Sequence, residues 1–394
     1  MHIFGRTIFF GDPQTVDIII FDETNSQIVR KVLNDKYTVS IFKVRPEEIW
    51  VGLRVIVKFF RFISNIEIKD AIEHKKGFLV GILKQLQCVY FKSCLEVISP
   101  KAVITYIDNC SRFSWLSKNC QKLPFIGIQN GSRLSYTAKD NPSYYLQHLF
   151  CFGQHEVNLF PTLGYQVKNF YPVGSLIASL HFDHRHSKVF NKYDLLIVST
   201  WRGNIGFPQD VKDTMKSMKI MDNHLAHYIK SREKKGAVIV RAERDSEHWV
   251  MPEIGSSEEE YYQEIYDNTI DIVETNFSKR NIFPLMQQSE LIVSCLSSAL
   301  LEAFGIGKKI LYCNFTGTNM YHKDLDPSIV TDDCNFEAFS SKLDAIFKMP
   351  KEKYSRDHQE RQKYYMSNPR DKATYQAISE KIDEIINKFT VNYK

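Results

Sequence analysis

The chain has 394 residues, 43% apolar and 25% charged, with 51 Lys and Arg against 46 Asp and Glu for a formal net charge of +5. These are ordinary globular values, which exclude a disordered, collagen-like or pure coiled-coil chain, and the length suits two domains of roughly 150–200 residues each. The charge is uneven: residues 1–180 carry 21 basic and 14 acidic side chains, residues 181–394 carry 30 and 32, so an anionic partner is expected on one side only. The excess is too dilute for a nucleic-acid-binding domain, which would show dense Lys and Arg clusters with interleaved aromatics.

In chain order, the first eleven residues lack a basic start followed by a long apolar core, so no secretory signal is expected. No stretch approaches the roughly 18 uncharged apolar residues of a membrane span. Strands are expected at 16–21, 38–43, 102–107, 125–129 and 148–152. Between the second and third lies a long helical region, 46–98, broken near Ser64 and Asn65 and at Gly77. Within it, a helix at 50–63 sets Arg54, Lys58 and Arg61 at i, i+4 and i+7, one basic stripe on an otherwise apolar segment; a strand would split them between faces. Such a helix is either mostly buried with one wet edge or lies on an anionic membrane. The segment 170–175, with Pro172 and Gly174, reads as a link.

Beyond the link the alternation is cleaner. Strands are expected at 194–199, 237–241, 270–274, 291–294 and 309–313, with helices at 208–231, 258–267, 281–289 and 298–306. Strand alternating with helix is the signature of a parallel sheet covered on both faces. A charged stretch, 351–370, precedes a final helix at 371–389. The organisation is therefore two Rossmann-like α/β domains in series, 1–175 and 176–370, with a cleft between them and a C-terminal helix, 371–394, returning toward the first. The eight cysteines never form Cys-x-x-Cys, and Cys295 and Cys313 sit in apolar runs; free thiols in a reducing compartment and no zinc are expected.

Ligands of open parallel sheets bind beyond the carboxyl ends of the strands, at helix N-termini. After the strand at 194–199 come Ser199, Thr200, Trp201, Arg202, Gly203 and Asn204: hydroxyls, a guanidinium and a glycine suited to a phosphate. After 237–241 come Arg241, Glu243 and Arg244, equally compatible with a structural ion pair. After 291–294, Ser297 and Ser298 open a helix with Glu302 following. Serine there caps the helix, and the same geometry can bind a diphosphate, with the glutamate placed for a ribose or sugar diol.

The pattern Ser297-Ser298, Glu302-Ala303, Gly307-Lys308-Lys309-Ile310-Leu311 resembles the donor-nucleotide segment of GT-B glycosyltransferases. Phe152-Gly153-Gln154-His155-Glu156, Leu163-Gly164-Tyr165 and Asn169-Phe170-Tyr171-Pro172-Val173-Gly174-Ser175 resemble proteins of bacterial surface-carbohydrate gene clusters, as does Ile128-Gln129-Asn130-Gly131-Ser132-Arg133. The likeness runs from about 100 to about 320; the first 100 residues match no pattern. It implies a cytoplasmic glycosyltransferase, peripheral at most on the inner face of the membrane. The second domain would hold a nucleotide-sugar donor, either a nucleoside-diphosphate sugar or a CMP-linked nonulosonate or Kdo. The first would hold a glycan or lipid-linked glycan acceptor. A nucleotide-sugar epimerase and a non-catalytic partner in polysaccharide assembly are the alternatives.

Glycosyl transfer needs a base for the acceptor hydroxyl and stabilisation of the departing phosphate. Asp108, after the strand at 102–107, is the first candidate base and Glu156 the second, with His155 a further one. Asn109, Gln129, Asn130 and Arg133, with Gly174 and Ser175, form the acceptor-side set. No metal or other cofactor is expected. Asp332 and Asp333 are expected to cap the next helix.

Overall fold

The computed structural model describes residues 2–3, 6–43, 48–66, 77–132, 144–181, 191–201, 209–241, 258–275, 282–295, 297–317, 325–368 and 372–392. The first part of the chain runs β1 (His2–Ile3), β2 (Arg6–Phe9), β3 (Ile18–Phe21), α1 (Ser26–Leu33), β4 (Val39–Phe42), β5 (Glu48–Trp50), α2 (Leu53–Phe62), α3 (Phe78–Ile98), β6 (Ala102–Thr105), α4 (Ser111–Asn119), β7 (Phe125–Ile128), β8 (Tyr145–Cys151), α5 (Gln154–Thr162), β9 (Gln166–Pro172) and α6 (Leu176–His181). The second runs β10 (Tyr193–Val198), α7 (Gln209–Ser231), β11 (Gly236–Arg241), α8 (Glu258–Tyr266), β12 (Ile270–Thr275), α9 (Ile282–Gln287), β13 (Ser289–Ser294), α10 (Ser298–Gly305), β14 (Lys309–Cys313), β15 (Val330–Thr331), α11 (Phe336–Lys348), α12 (Lys351–Tyr365) and α13 (Thr374–Asn392).

Each part builds a six-stranded, all-parallel sheet, in the orders β4-β3-β6-β7-β8-β9 and β12-β11-β10-β13-β14-β15. The expected two-domain α/β class is therefore the observed one. The central strands show why. In β3, Ile18 and Ile20 point to one face and Ile19 and Phe21 to the other, and all four are fully buried. A strand buried on both faces needs an unbroken β-branched and aromatic run, and β3 has one. A small additional sheet, β1-β2-β5, sits beside the first. It corrects the expectation of helix from residue 46 onward, because Glu48–Trp50 pairs with β2.

One apolar cluster joins the two sheets. It runs from Ile18, Ile104 and Ile126 through Leu176 and Ile177 to Leu300, Phe304, Tyr365, Ile378 and Ile382. The last two helices return to the first domain. From α13, Asp383 takes Lys36 Nζ and the Tyr37 hydroxyl, both at 2.7 Å. After α12, the Ser367 N–H donates to the Phe152 carbonyl at 2.7 Å. The link is shorter than 170–175, since β9 continues to Pro172. Asn335, not the aspartates, caps α11 by accepting from the Ala338 N–H at 3.0 Å, while Asp333 accepts from the Asn335 N–H at 2.8 Å.

Candidate functional site

A doubly wound sheet leaves a crevice where successive strands depart in opposite directions, and ligands bind there beyond the carboxyl ends. In the second sheet that switch point lies between β10 and β13. The Ser294 hydroxyl donates to the Val198 carbonyl at 2.7 Å and ties the two strand ends together. The residues that follow, Ser199 and Thr200 on one side and Ser297 and Ser298 on the other, are therefore neighbours in space. Sequence reading selected all four.

Their hydroxyls have different duties. The Ser199 hydroxyl bonds the Glu258 carboxylate at the start of α8 and accepts from the Trp201 N–H at 3.1 Å, which fixes the loop. Ser297 is the N-cap of α10, its Oγ accepting from the Ala299 N–H at 3.3 Å. Ser298 Oγ accepts from the Ser132 N–H at 2.9 Å. That bond joins the ligand edge of the second sheet to the loop after β7 of the first. Thr200 is only 7% exposed, and its hydroxyl has no hydrogen-bond partner among the described residues; the Ser132 hydroxyl is in the same position. Buried hydroxyls are nearly always paired. Two such groups beside the positive end of a helix make a site suited to a phosphate or sugar hydroxyl.

Beneath this edge, Asp222 of α7 is fully buried and accepts from the hydroxyls of Tyr261 at 2.9 Å and Tyr266 at 3.1 Å. Burial pushes its carboxyl up to about 7, against the pull of the two hydroxyls. Arg202, Gly203, Asn204, Glu243, Arg244 and Arg133 lie outside the described residues, and Arg241 ends β11.

Glu302 is placed differently from its expected role. Its Oε1 accepts the Ser175 hydroxyl at 2.5 Å, and Ser175 in turn accepts from the Ala178 N–H at 3.2 Å and so caps α6. Both residues line a small hollow with Gly305, Met366 and Thr374 at the join. Gly174 has φ +89°, and a Cβ there would fall 2.1 Å from the Ser367 carbonyl oxygen. Gly174, Ser175 and Glu302 thus hold the domains together at the link.

In the first domain the expected carboxylates are spent on shaping loops. Asp108 is fully buried, with Oδ1 accepting from the Asn130 N–H at 3.2 Å and Oδ2 from the Tyr144 hydroxyl at 3.1 Å. Glu156 is 1% exposed and accepts from the Gly153 N–H at 3.0 Å, closing the first turn of α5. The Gln129 amide spans the same loops: Oε1 accepts from the Phe152 N–H at 3.0 Å, and Nε2 donates to the Gly131 carbonyl at 2.9 Å and to Glu156 at 3.4 Å. His155 is buried against Tyr365 and Tyr364. Asn109 is exposed and Asn130 half-buried.

Sequence reading overlooked Asp22 and named Ser132 only within the resemblance, without a role. The switch point of the first sheet lies between β3 and β6. Asp22, immediately after β3, is half-buried at φ +83°, with Oδ1 accepting from the Thr24 N–H at 2.9 Å. A strained aspartate at a sheet's ligand edge merits attention. Its signal was available: an Asp directly after the most apolar strand.

No protein-family model and no curated protein matches the sequence. Among solved structures, the chain is similar to a glycosyltransferase from Rickettsia africae, with 10% identity over 96% of this chain and 99% of that one and a TM-score of 0.53. It is similar to a UDP-N-acetylglucosamine 2-epimerase, with 11% identity over 97% and 98% of the two chains and a TM-score of 0.53. It is also similar to the wall teichoic acid polymerase TagF soaked with CDPG, with 11% identity over 94% and 89% and a TM-score of 0.52. At such identities the likeness is one of fold. The chain has the GT-B architecture, two parallel-sheet domains flanking a cleft.

Proposed function

We propose that the chain is a metal-independent GT-B glycosyltransferase of bacterial surface-polysaccharide assembly, such as capsule or lipopolysaccharide. It transfers a sugar from a nucleoside-diphosphate sugar, or from a CMP-linked nonulosonate or Kdo, to a glycan or lipid-linked glycan at the inner face of the membrane. The observation that carries the reading is the edge formed by Thr200, Ser297, Ser298 and Ser132, where a helix N-terminus meets two buried hydroxyls with no partner among the described residues. A donor phosphate there takes hydrogen bonds from the first-turn N–H groups of α10 and from the Thr200 and Ser132 hydroxyls, and these stabilise charge as the nucleotide departs. The acceptor oxygen bonds to the anomeric carbon as the bond from that carbon to the phosphate oxygen breaks. The proton passes to a carboxylate, for which Asp22 is preferred over the buried Asp108 and Glu156.

Calorimetry against UDP, GDP, CMP and dTDP tests the donor half. One nucleotide should bind, and Thr200→Val and Ser298→Ala should each weaken it about three- to tenfold, the loss of one ordinary hydrogen bond. Absence of binding by all four would overturn the reading. The second reading is an epimerase, favoured by the fold shared with UDP-N-acetylglucosamine 2-epimerase. Isomerisation of a sugar nucleotide incubated without acceptor would select it.

A further inference from the structure

The helix α2 turns its most apolar row to solvent. Leu53, Ile56, Val57 and Phe60, at i, i+3, i+4 and i+7, are 76%, 38%, 59% and 66% exposed, while Val55 packs inward. Single exposed apolar residues are normal, but a contiguous row marks an interaction surface. The row extends at both ends. Phe10, 73% exposed, precedes Gly11, whose N–H bonds the Val51 carbonyl at the start of α2. At the other end, Lys58 reaches Glu96 at 3.5 Å and Lys92 lies 4.5 Å above the Phe62 ring, so α2 and α3 run antiparallel. The first turns of α3 therefore project past the end of α2 and expose Phe78, Leu79, Val80 and Leu83. From the helical rise, the whole band is on the order of 30 Å long.

Two features select its occupant. Phe78, Leu79 and Val80 are consecutive, so at about 100° per residue they point around most of the helix. A flat protein face covers one side of such a helix end, whereas lipid surrounds it. The charge argues the same way. The described parts of α2 and α3 carry Arg54, Lys58, Arg61, Lys84 and Lys92 against Glu96 alone; Arg54, Lys58 and Arg61 form the rim of the band, while Lys92 is buried against the Phe62 ring and Lys84 is half-buried beside Arg112. A second copy docked symmetrically would set this basic rim against itself; an anionic lipid surface complements it. The expected electrostatic anchor needs correction, however, because Arg54 pairs with Asp12 at 2.8 Å and Lys58 with Glu96. Among the described residues no helix is long and apolar enough to cross a membrane.

We infer that this band is a membrane-contact surface that seats in the headgroup–acyl boundary of an anionic bilayer, with Leu53, Val57, Phe60 and Leu79 inserted and Arg61 at the phosphate level. Binding is driven by the apolar row, and the basic rim selects the lipid. The assignment does not depend on the reaction proposed above.

Flotation with vesicles of phosphatidylcholine, with and without phosphatidylglycerol, tests it at low and high salt. The wild-type chain should float with the mixed vesicles and keep most of that binding at high salt. Leu53→Ser, Val57→Ser and Phe60→Ser combined should lower partitioning about a hundredfold. Arg61→Gln should lower it less than about tenfold. The melting transition and nucleotide affinity of the triple variant should match wild type, which keeps this test separate from that of the donor site. No flotation, or equal flotation of the triple variant, would overturn the inference. So would a lipid-free dimer that the triple variant converts to monomer, since the face would then belong to a second copy.

Discussion

Replacing Gly174 by alanine tests whether the join between the domains is as tight as the geometry says. At φ +89° an alanine pays about 1–2 kcal/mol for left-handed backbone. Its Cβ would also lie 2.1 Å from the Ser367 carbonyl oxygen, where even a tight contact needs 3.0 Å. Ser367 cannot simply retreat, because its N–H is bonded to the Phe152 carbonyl and the Thr374 hydroxyl bonds the Val173 carbonyl, each at 2.7 Å. Breaking one of these and leaving a buried group unpaired costs about 1–3 kcal/mol. The total is about 2–5 kcal/mol. Gly164→Ala is the internal control: φ there is +76°, but nothing lies within 4 Å of the added Cβ, so it pays the backbone part alone. Equilibrium urea denaturation of both variants isolates the clash. If Gly174→Ala loses no more stability than Gly164→Ala, the link is looser than this account requires.

Three further outcomes follow from buried groups. Burial and the nearby Lys168 and Lys381 push His148 down to about 4; with an unfolded value near 6.5, its contribution is present above that pH and lost as pH falls through 4, up to about 3 kcal/mol. His148→Gln should flatten that acid limb in urea titrations at pH 4 and 7, and an unchanged limb would refute the assignment. Asp222 behaves oppositely: burial raises it to about 7, above the ordinary carboxylate range, so stability is complete below about pH 4 and falls by up to about 4 kcal/mol as pH rises through 7. Asp222→Asn should therefore be more stable than wild type at pH 8 but not at pH 5, and equal dependence in both chains would contradict this. Asp108→Asn should cost about 1–3 kcal/mol by unsettling Asn130 and Tyr144 while nucleotide affinity in calorimetry holds. A loss of transfer at full stability would instead return Asp108 to the role of base.

The fold was legible where one strand or helix carries its own signal. All five strands expected in the second half appear: four are apolar runs buried in the parallel sheet, and the edge strand β12, largely half-buried or exposed, keeps Ile270, Ile272 and Val273 as its signal. What escaped lies at edges. In β9, Gln166, Lys168, Asn169 and Pro172 are exposed, so no apolar run marks it, and its pairing with β8 decides its structure. Likewise β5 reads as the start of a helix, and only its pairing with β2 makes it a strand. The helix that follows begins at Gly52, where any Cβ would fall 2.1 Å from Asp12 Oδ1. That contact spans forty positions of the sequence and leaves no local trace.

The same division governs the site. Ser297 was legible because a cap is made with residues two or three positions away, and the structure shows that cap. The bond from Ser175 to Glu302 was not legible, because Ser175 lies 127 positions earlier. Asp108 and Glu156 follow strands as catalytic carboxylates do, yet the groups that occupy them come from Tyr144, Asn130 and Gly153 after the chain has folded. Burial, not residue type, separates a carboxylate that shapes a loop from one that can meet a substrate. Thr200 and Ser132 argue the complementary case: the sequence marks Thr200 by its place after a strand and leaves Ser132 without a role, but only the fold seals both hydroxyls from water with no partner among the described residues, which is costly. That cost falls when the hydroxyl bonds a bound ligand. The two lie where the switch point of one sheet meets a loop of the other, so a ligand that pairs them bridges the domains.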